Sequence, residues 1–385
     1  MANGRLPTYF GIISLEKIKK RNNMKKTLLC IAFSILGVYS YGQRRPLHKA
    51  VPFKDANAAK AYLQNQADSL KFSGNVLVMQ NGKDLIKESY GLASKEKNIP
   101  INIDTKINLG SINKAFTAVC VLQLIEAGKI NFEDKITKYI PELKANMANE
   151  ISIRNLLEMK SGLGSYWDSP IFLDNYKNLR NLEDYVPIIA AYSLSSKPGT
   201  ERQYSNSSYE LLGILVQRVS GQNYYDYVRE NVYKKAGMVN TDAFERDKSV
   251  QNLAQGYSKF KVGEDFETQL PPERQYAFNY NVNDRSPVKG TAAGGGFSTV
   301  DDMKQFVYTL TSNQLLSKTS TDLLINHFRD SPDRNPVYNI RGGSTGINSV
   351  VFYNASKDLL IIVLCNYDPP VGSEVARRLI ATFNS

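Results

Sequence analysis

Histidine is nearly missing from this chain: its 385 residues include two, His48 and His327. A Ser-His-Asp triad needs an imidazole between nucleophile and carboxylate, so any acyl chemistry here has to look elsewhere for its base. Cysteine is just as sparse, with Cys30, Cys120 and Cys365. So few histidines and cysteines assemble no convincing metal-ligand cluster. Cys120 and Cys365 each lie inside an apolar run, "TAVCVLQL" and "LIIVLCNYD". That setting predicts buried free thiols, with a disulfide between them as the less favoured alternative. Long apolar runs are scarce too. One stretch, Thr27–Tyr39, stands out, too short to cross a bilayer comfortably and followed by no second. No basic stripe interleaved with aromatics occurs, which argues against nucleic-acid binding.

What is present is ordinary for a globular protein, with 42% hydrophobic and 22% charged residues. Met24 opens "MKKTLLCIAFSILGVYSYGQ", which has the layout of a secretory leader. Lys25 and Lys26 form its basic end, Thr27–Tyr39 its apolar core, and Ser40-Tyr41-Gly42 its small-residue cleavage region. Cleavage near Gln43 is expected, with export to the periplasm or outside the cell; an N-terminal membrane anchor is the alternative. Cys30 sits in a poor lipoprotein box. Residues 1–23 then read as an extension or a misassigned start, 24–42 as the signal peptide and 43–54 as a polar linker. The formal charge of +11 falls with the leader: 48 Lys/Arg become 41 and 37 Asp/Glu become 36, leaving +5. Such a surplus demands no polyanionic partner.

The rest, 55–385, reads as one domain with strands at both ends. "KDANAAKAYLQNQADSLKF" (54–72) has the period of an amphipathic helix. "GNVLVMQNGKDLIKESYG" (74–91) predicts a hairpin turning at Asn81-Gly82. "NSVVFYNASKDLLIIVLCNYD" (348–368) predicts a second, turning at Asn354 to Asp358, before the helical "GSEVARRLIATF" (372–383). An antiparallel sheet built from both chain ends, flanked by helices, follows. It draws on about 55–130 and 285–385, with a mostly helical, polar subdomain inserted at about 131–284. There Pro198-Gly199 makes a turn, and Ser207 or Ser208 is expected to cap the helix after it.

One short stretch carries the chemistry. In "NLGSINKAFTAVCVLQLIEAG" (108–128), Ser111 precedes Lys114 by three residues at the mouth of an apolar helix. Serine is a weak nucleophile until a base removes its proton. A lysine on the same helical face can do so when its surroundings favour the neutral amine. A helix N-terminus also aims the serine's own N–H at a developing oxyanion. The spacing alone is common: S-x-x-K also begins at Ser14, Ser94, Ser258 and Ser286. Ser111 alone of the five opens a long apolar helix.

Two further elements accompany it. Tyr204-Ser205-Asn206 lies in "PGTERQYSNSSYELLG", where a tyrosine near a lysine ammonium can share the base role. It is one of 23 tyrosines, and packing at a helix start is the ordinary fate of such a residue. The glycine-rich "NIRGGSTGINSVVFY" (339–353) enters a strand, where glycines admit close approach of a substrate and leave an N–H for an oxyanion; a simple tight turn is the alternative.

Together these elements, with "AAGGGFSTVDDM" between the last two, resemble the penicillin-recognising serine hydrolases. The likeness spans roughly 55–383 and is nearest to the branch of class C β-lactamases, DD-peptidases and related esterases. It implies a β-lactamase-like α+β fold and no cofactor or metal. Ser111 would be the acylated nucleophile, Lys114 its proton acceptor and Tyr204 the partner acid/base. Asn206 would hydrogen-bond lysine or substrate, and the N–H groups of Ser111 and Gly343 would form the oxyanion hole. The implied substrate is a small ester, a D-amino-acid peptide or a cell-wall fragment.

The pattern also departs from the family. Its third motif usually reads Lys-Thr-Gly or His-x-Gly, and here it is Ile340-Arg341-Gly342. Ile340 brings no charge, and Arg341 either takes over a substrate carboxylate or is a solvated strand residue. Glu158-Met159-Lys160 stands where many relatives have Thr-His-Thr. Hydrolases resembling those of aminohexanoate oligomers tolerate such changes, which count against penicillin or D-Ala-D-Ala recognition. Trp167 edges the pocket or anchors its loop. A non-catalytic cell-wall-peptide binder or self-assembling member is the competing expectation.

Overall fold

The structure is a computed structural model that describes residues 50–385 apart from 144–149, 262, 265, 267, 283–286 and 328–336. The expected leader and extension, with Cys30 and His48, lie outside the described residues.

Asn81 and Gly82 both take positive φ, 51° and 71°, the turn that matches the twist of two antiparallel strands. They join β1 (Gly74–Gln80) to β2 (Lys83–Tyr90). Near the other end, β3 (Val337–Ser344) runs through Gly346 into β4 (Ile347–Asn354). The turn at Ala355–Asp358 then leads to β5 (Leu359–Cys365). The five strands form one antiparallel sheet in the order β2-β1-β5-β4-β3. β5 is central and buried along its whole length, which explains why "LLIIVLC" is apolar without alternation. β3 is an edge, and its burial alternates.

Each face of the sheet has its own core. Val76, Val78, Val350, Ile361 and Val363 pack on α1 (Ala56–Asp68) and α5 (Val371–Phe383). Leu77, Val351, Leu360, Ile362 and Leu364 face the larger cluster, with α2 (Asn113–Glu126) and α4 (Val300–Thr311). α2 is buried on nearly every side, as a helix apolar all round must be. The stretch 131–284 carries α3 (Asn206–Ser220) and shorter helices at Ile153–Leu157, Pro170–Asn175, Val186–Ala190 and Tyr224–Val228.

One detail differs from expectation. The cap of α3 is Ser205, whose Oγ accepts from Ser208 N, so Ser207 and Ser208 lie inside the helix. Ser205 wins because its hydroxyl also donates to Gly164 O at 3.0 Å, fixing it at the helix entrance. Cys120 and Cys365 are both buried and free. Among the described residues no helix is long and apolar enough to cross a membrane.

Candidate active site

Ser111 is delivered by a short strand and a single tight turn. Ile107–Asn108 pairs with Phe297–Ser298, and Asn108 Oδ1 accepts from Gly110 N at 2.9 Å. Gly110, at φ +52°, turns the chain into Gly110–Ile112 and then α2. Ser111 therefore sits half-buried at the front of the helix, with Lys114 one turn on and 2% exposed.

A lysine buried to this degree needs its donors satisfied. Lys114 Nζ donates to Ser111 Oγ at 3.2 Å and to Asn206 Oδ1 at 2.8 Å, and makes a third hydrogen bond to Ala293 O. It also lies 4.8 Å from the centre of the Tyr204 ring and 5.7 Å from that of Tyr209. Tyr204 OH and Ser111 Oγ share a hydrogen bond. The three groups paired from sequence thus meet, although Tyr204 comes from 93 residues away. Half of Tyr204 remains exposed, which leaves its hydroxyl open to solvent and ligand.

Each partner is held from behind. Asn206 Nδ2 donates to Ser165 Oγ at 3.2 Å. Asn113 Oδ1 accepts from Gly296 N at 3.2 Å, and Thr117 Oγ1 donates to Ala292 O at 2.7 Å, so α2 grips the 290–296 loop that presents Ala293 O. Met159 O accepts from Gln203 N at 2.8 Å and Lys160 O from Gly199 N at 2.7 Å. The Glu158-Met159-Lys160 segment therefore steadies the approach to Tyr204 through its backbone, with the Lys160 and Glu158 side chains paired at 3.2 Å.

β3 closes the front. A β-carbon on Gly342 would lie 1.8 Å from Leu109 O and 2.9 Å from Ser111 N, so only glycine lets the strand come this near. Gly343 N is next to Gly110, 3.1 Å from where a β-carbon on Gly110 would fall. Ile340 shares the face of Gly342 and is buried in the core with Tyr338. Arg341 lies opposite Val350 on the other face, exposed and turned away from the Ser111 side. The expected substrate contact from Arg341 is therefore not part of this arrangement, because neighbours on a strand point to opposite faces. Trp167, half-buried, stacks on Tyr166 at 6.0 Å between ring centres and packs on Phe172, anchoring its loop. His327 ends the helix Lys318–His327.

One residue that sequence reading passed over is Glu210. It is fully buried, and its Oε1 accepts from Tyr166 OH and Thr291 Oγ1, both at 2.6 Å. Burial pushes its carboxyl up to about 7, against the two hydroxyls and Lys114, which favour the charged form. A glutamate four residues after Asn206 in the otherwise apolar "YELLGILV" was the signal available. Among the described residues no group of three His, Cys, Asp or Glu is placed to hold a metal ion.

The chain has relatives along most of its length. The family model described as "Beta-lactamase" matches residues 60–384. Protein flp of Staphylococcus aureus (strain MRSA252) is 32% identical over 186 residues, 48% of this chain and 37% of that protein. The match thus spans little more than a third of that relative's length. Penicillin-binding protein 4* of Bacillus subtilis (strain 168) is 25% identical over 332 residues, covering 80% of this chain and 70% of that one. Among solved structures, a penicillin-binding protein from Bacillus halodurans superposes with a TM-score of 0.70 at 25% identity, covering 82% of this chain and 98% of that one.

Proposed function

The chain belongs to the Beta-lactamase family, and from that premise we propose that it is a secreted serine hydrolase that cleaves an ester or amide through an acyl-enzyme on Ser111. The observation that carries this reading is one hydroxyl reached by two proton carriers: Ser111 Oγ is 3.2 Å from Lys114 Nζ and hydrogen-bonded to Tyr204 OH. That is the geometry of an activated nucleophile.

In this reading the Ser111 oxygen attacks the substrate carbonyl carbon while its proton passes to the Lys114/Tyr204 pair. The N–H groups of Ser111 and Gly343 take the charge that builds on the carbonyl oxygen. As the tetrahedral intermediate collapses, the carbon–leaving-group bond breaks and the exposed Tyr204 hydroxyl returns the proton to the departing alcohol or amine. Water, activated by the same pair, then attacks the Ser111 ester and releases the acid. Asn206 keeps the lysine aimed at Ser111 rather than at solvent.

The substrate class follows from the front of the site. Ile340 offers no charge where the family's third motif has a basic residue, and Arg341 points to the other face. A neutral ester therefore suits the site better than a substrate held by a free carboxylate, and a D-amino-acid or cell-wall peptide would be cleaved at an amide away from its terminal carboxylate. Export follows from the leader features at Lys25, Lys26 and Thr27–Tyr39. A second reading, a non-catalytic cell-wall-peptide binder or self-assembling protein, draws its support from Ile340.

Intact mass after brief exposure to a small activated aryl ester tests the choice. The hydrolase reading expects a transient acyl adduct on wild type and none on Ser111→Ala. Equal ester turnover by both proteins, with no adduct on either, would overturn it and favour the binding reading.

A further inference from the structure

α3 carries two charged side chains with opposite fates. Arg218 reaches the partly exposed Glu142 and Glu183. Glu210 is sealed in the interior, where a carboxyl group is costly unless several groups support it. Its supporters are not scattered. Thr291 opens the loop whose Ala293 O accepts from Lys114. Tyr166 follows Ser165, whose hydroxyl fixes Asn206, a second acceptor of Lys114. Glu210 itself lies one helical turn beyond Asn206, on the same face of α3. Three separate elements that surround the lysine therefore converge on one carboxyl group.

From this convergence we propose that Glu210 is a positioning residue of the site: its buried carboxyl group clamps the three elements cradling Lys114. The clamp rests on the hydrolase reading only in so far as Lys114 serves Ser111.

The test reads the seat of Lys114 directly, from the ¹³Cε-lysine NMR spectrum of the full chain at one fixed pH, with the resonance assigned by its loss in Lys114→Ala, beside single-turnover acylation by a small activated aryl ester. Glu210→Gln keeps the size and one acceptor but replaces the carboxyl group by an amide, and Thr291→Val removes one of the two hydroxyls that donate to it. Both variants are expected to broaden or split the Lys114 resonance and to lower kcat about 10-fold with KM within about twofold. An unchanged Lys114 resonance in either folded variant overturns the proposal, even where acylation slows, because slowing alone is what a purely structural residue gives. If Glu210→Gln does not fold, Thr291→Val decides. A wild type that forms no acyl adduct but whose Lys114 resonance still broadens or splits in the variants would overturn the hydrolase reading and leave the clamp standing.

Discussion

Asn206 and Lys114 meet between the starts of two helices, with Oδ1 accepting from Nζ at 2.8 Å, and this contact sets which way the ammonium points. Without it, Lys114 would keep Ala293 O and Ser111 Oγ as acceptors, and its orientation would rest on two contacts instead of three. Asn206→Ala should therefore slow acylation by an aryl ester less than Lys114→Ala does. For Lys114→Ala, loss of the proton acceptor should cost about 10²–10⁴-fold in kcat/KM. Steady-state kinetics on both variants checks the order; equal losses would mean that Asn206 does more than orient the lysine.

Tyr204 separates chemistry from stability. Its ring is half exposed, so Tyr204→Phe should leave the unfolding free energy within about 0.5 kcal/mol of wild type. The same change removes the hydroxyl that touches Ser111 and should lower kcat by about 10²-fold or more. Chemical denaturation beside kinetics tests both halves. A large loss of stability with normal turnover would assign Tyr204 to packing.

Much of this arrangement was legible because its signals are local. Asn81-Gly82 specifies a turn through its own backbone preferences, and the uninterrupted apolar run of β5 announces a strand covered on both faces. Ser111 and Lys114 are three residues apart, so helix geometry alone brings them together. Tyr204 was different: its place beside Ser111 came from family resemblance, since nothing in its neighbours distinguishes it from other tyrosines. The cap of α3 was misplaced because "YSNSS" offers several hydroxyls, and the choice depends on Gly164 O, which is remote in sequence. Glu210 was illegible for the same reason. A glutamate in a helix reads as solvent-facing until Tyr166 and Thr291, 44 and 81 residues away, are found against it.

The approach of β3 to the serine turn depends on one missing methyl group. A β-carbon at Gly342 would overlap Leu109 O at 1.8 Å, whereas one at Gly343 would meet Pro369 Cγ at 3.2 Å. Gly342→Ala should push the strand off Ser111, costing about 1–3 kcal/mol as overpacking and most of the acylation rate. Gly343→Ala should be milder in both. Thermal unfolding and burst kinetics on the two variants make the comparison; a benign Gly342→Ala would mean that the strand can retreat without harming the site.

The last prediction concerns pH and stability. Glu210 holds its proton up to about 7 in the folded protein, while its ordinary value is 4.5. Between those values the folded state binds a proton that the unfolded chain has released, so stability falls as pH rises. The stabilisation is present in full below about 4.5 and lost as pH climbs through about 7; by the size of the shift it amounts to roughly 3 kcal/mol. Glutamine cannot ionise, so in Glu210→Gln this component should vanish. Urea denaturation at pH 5 and pH 8 should show wild type losing more stability across the interval than the variant does. Parallel losses would mean that the carboxyl does not titrate there, and that Glu210 stays charged from pH 5 upward, supported by Lys114, Tyr166 and Thr291.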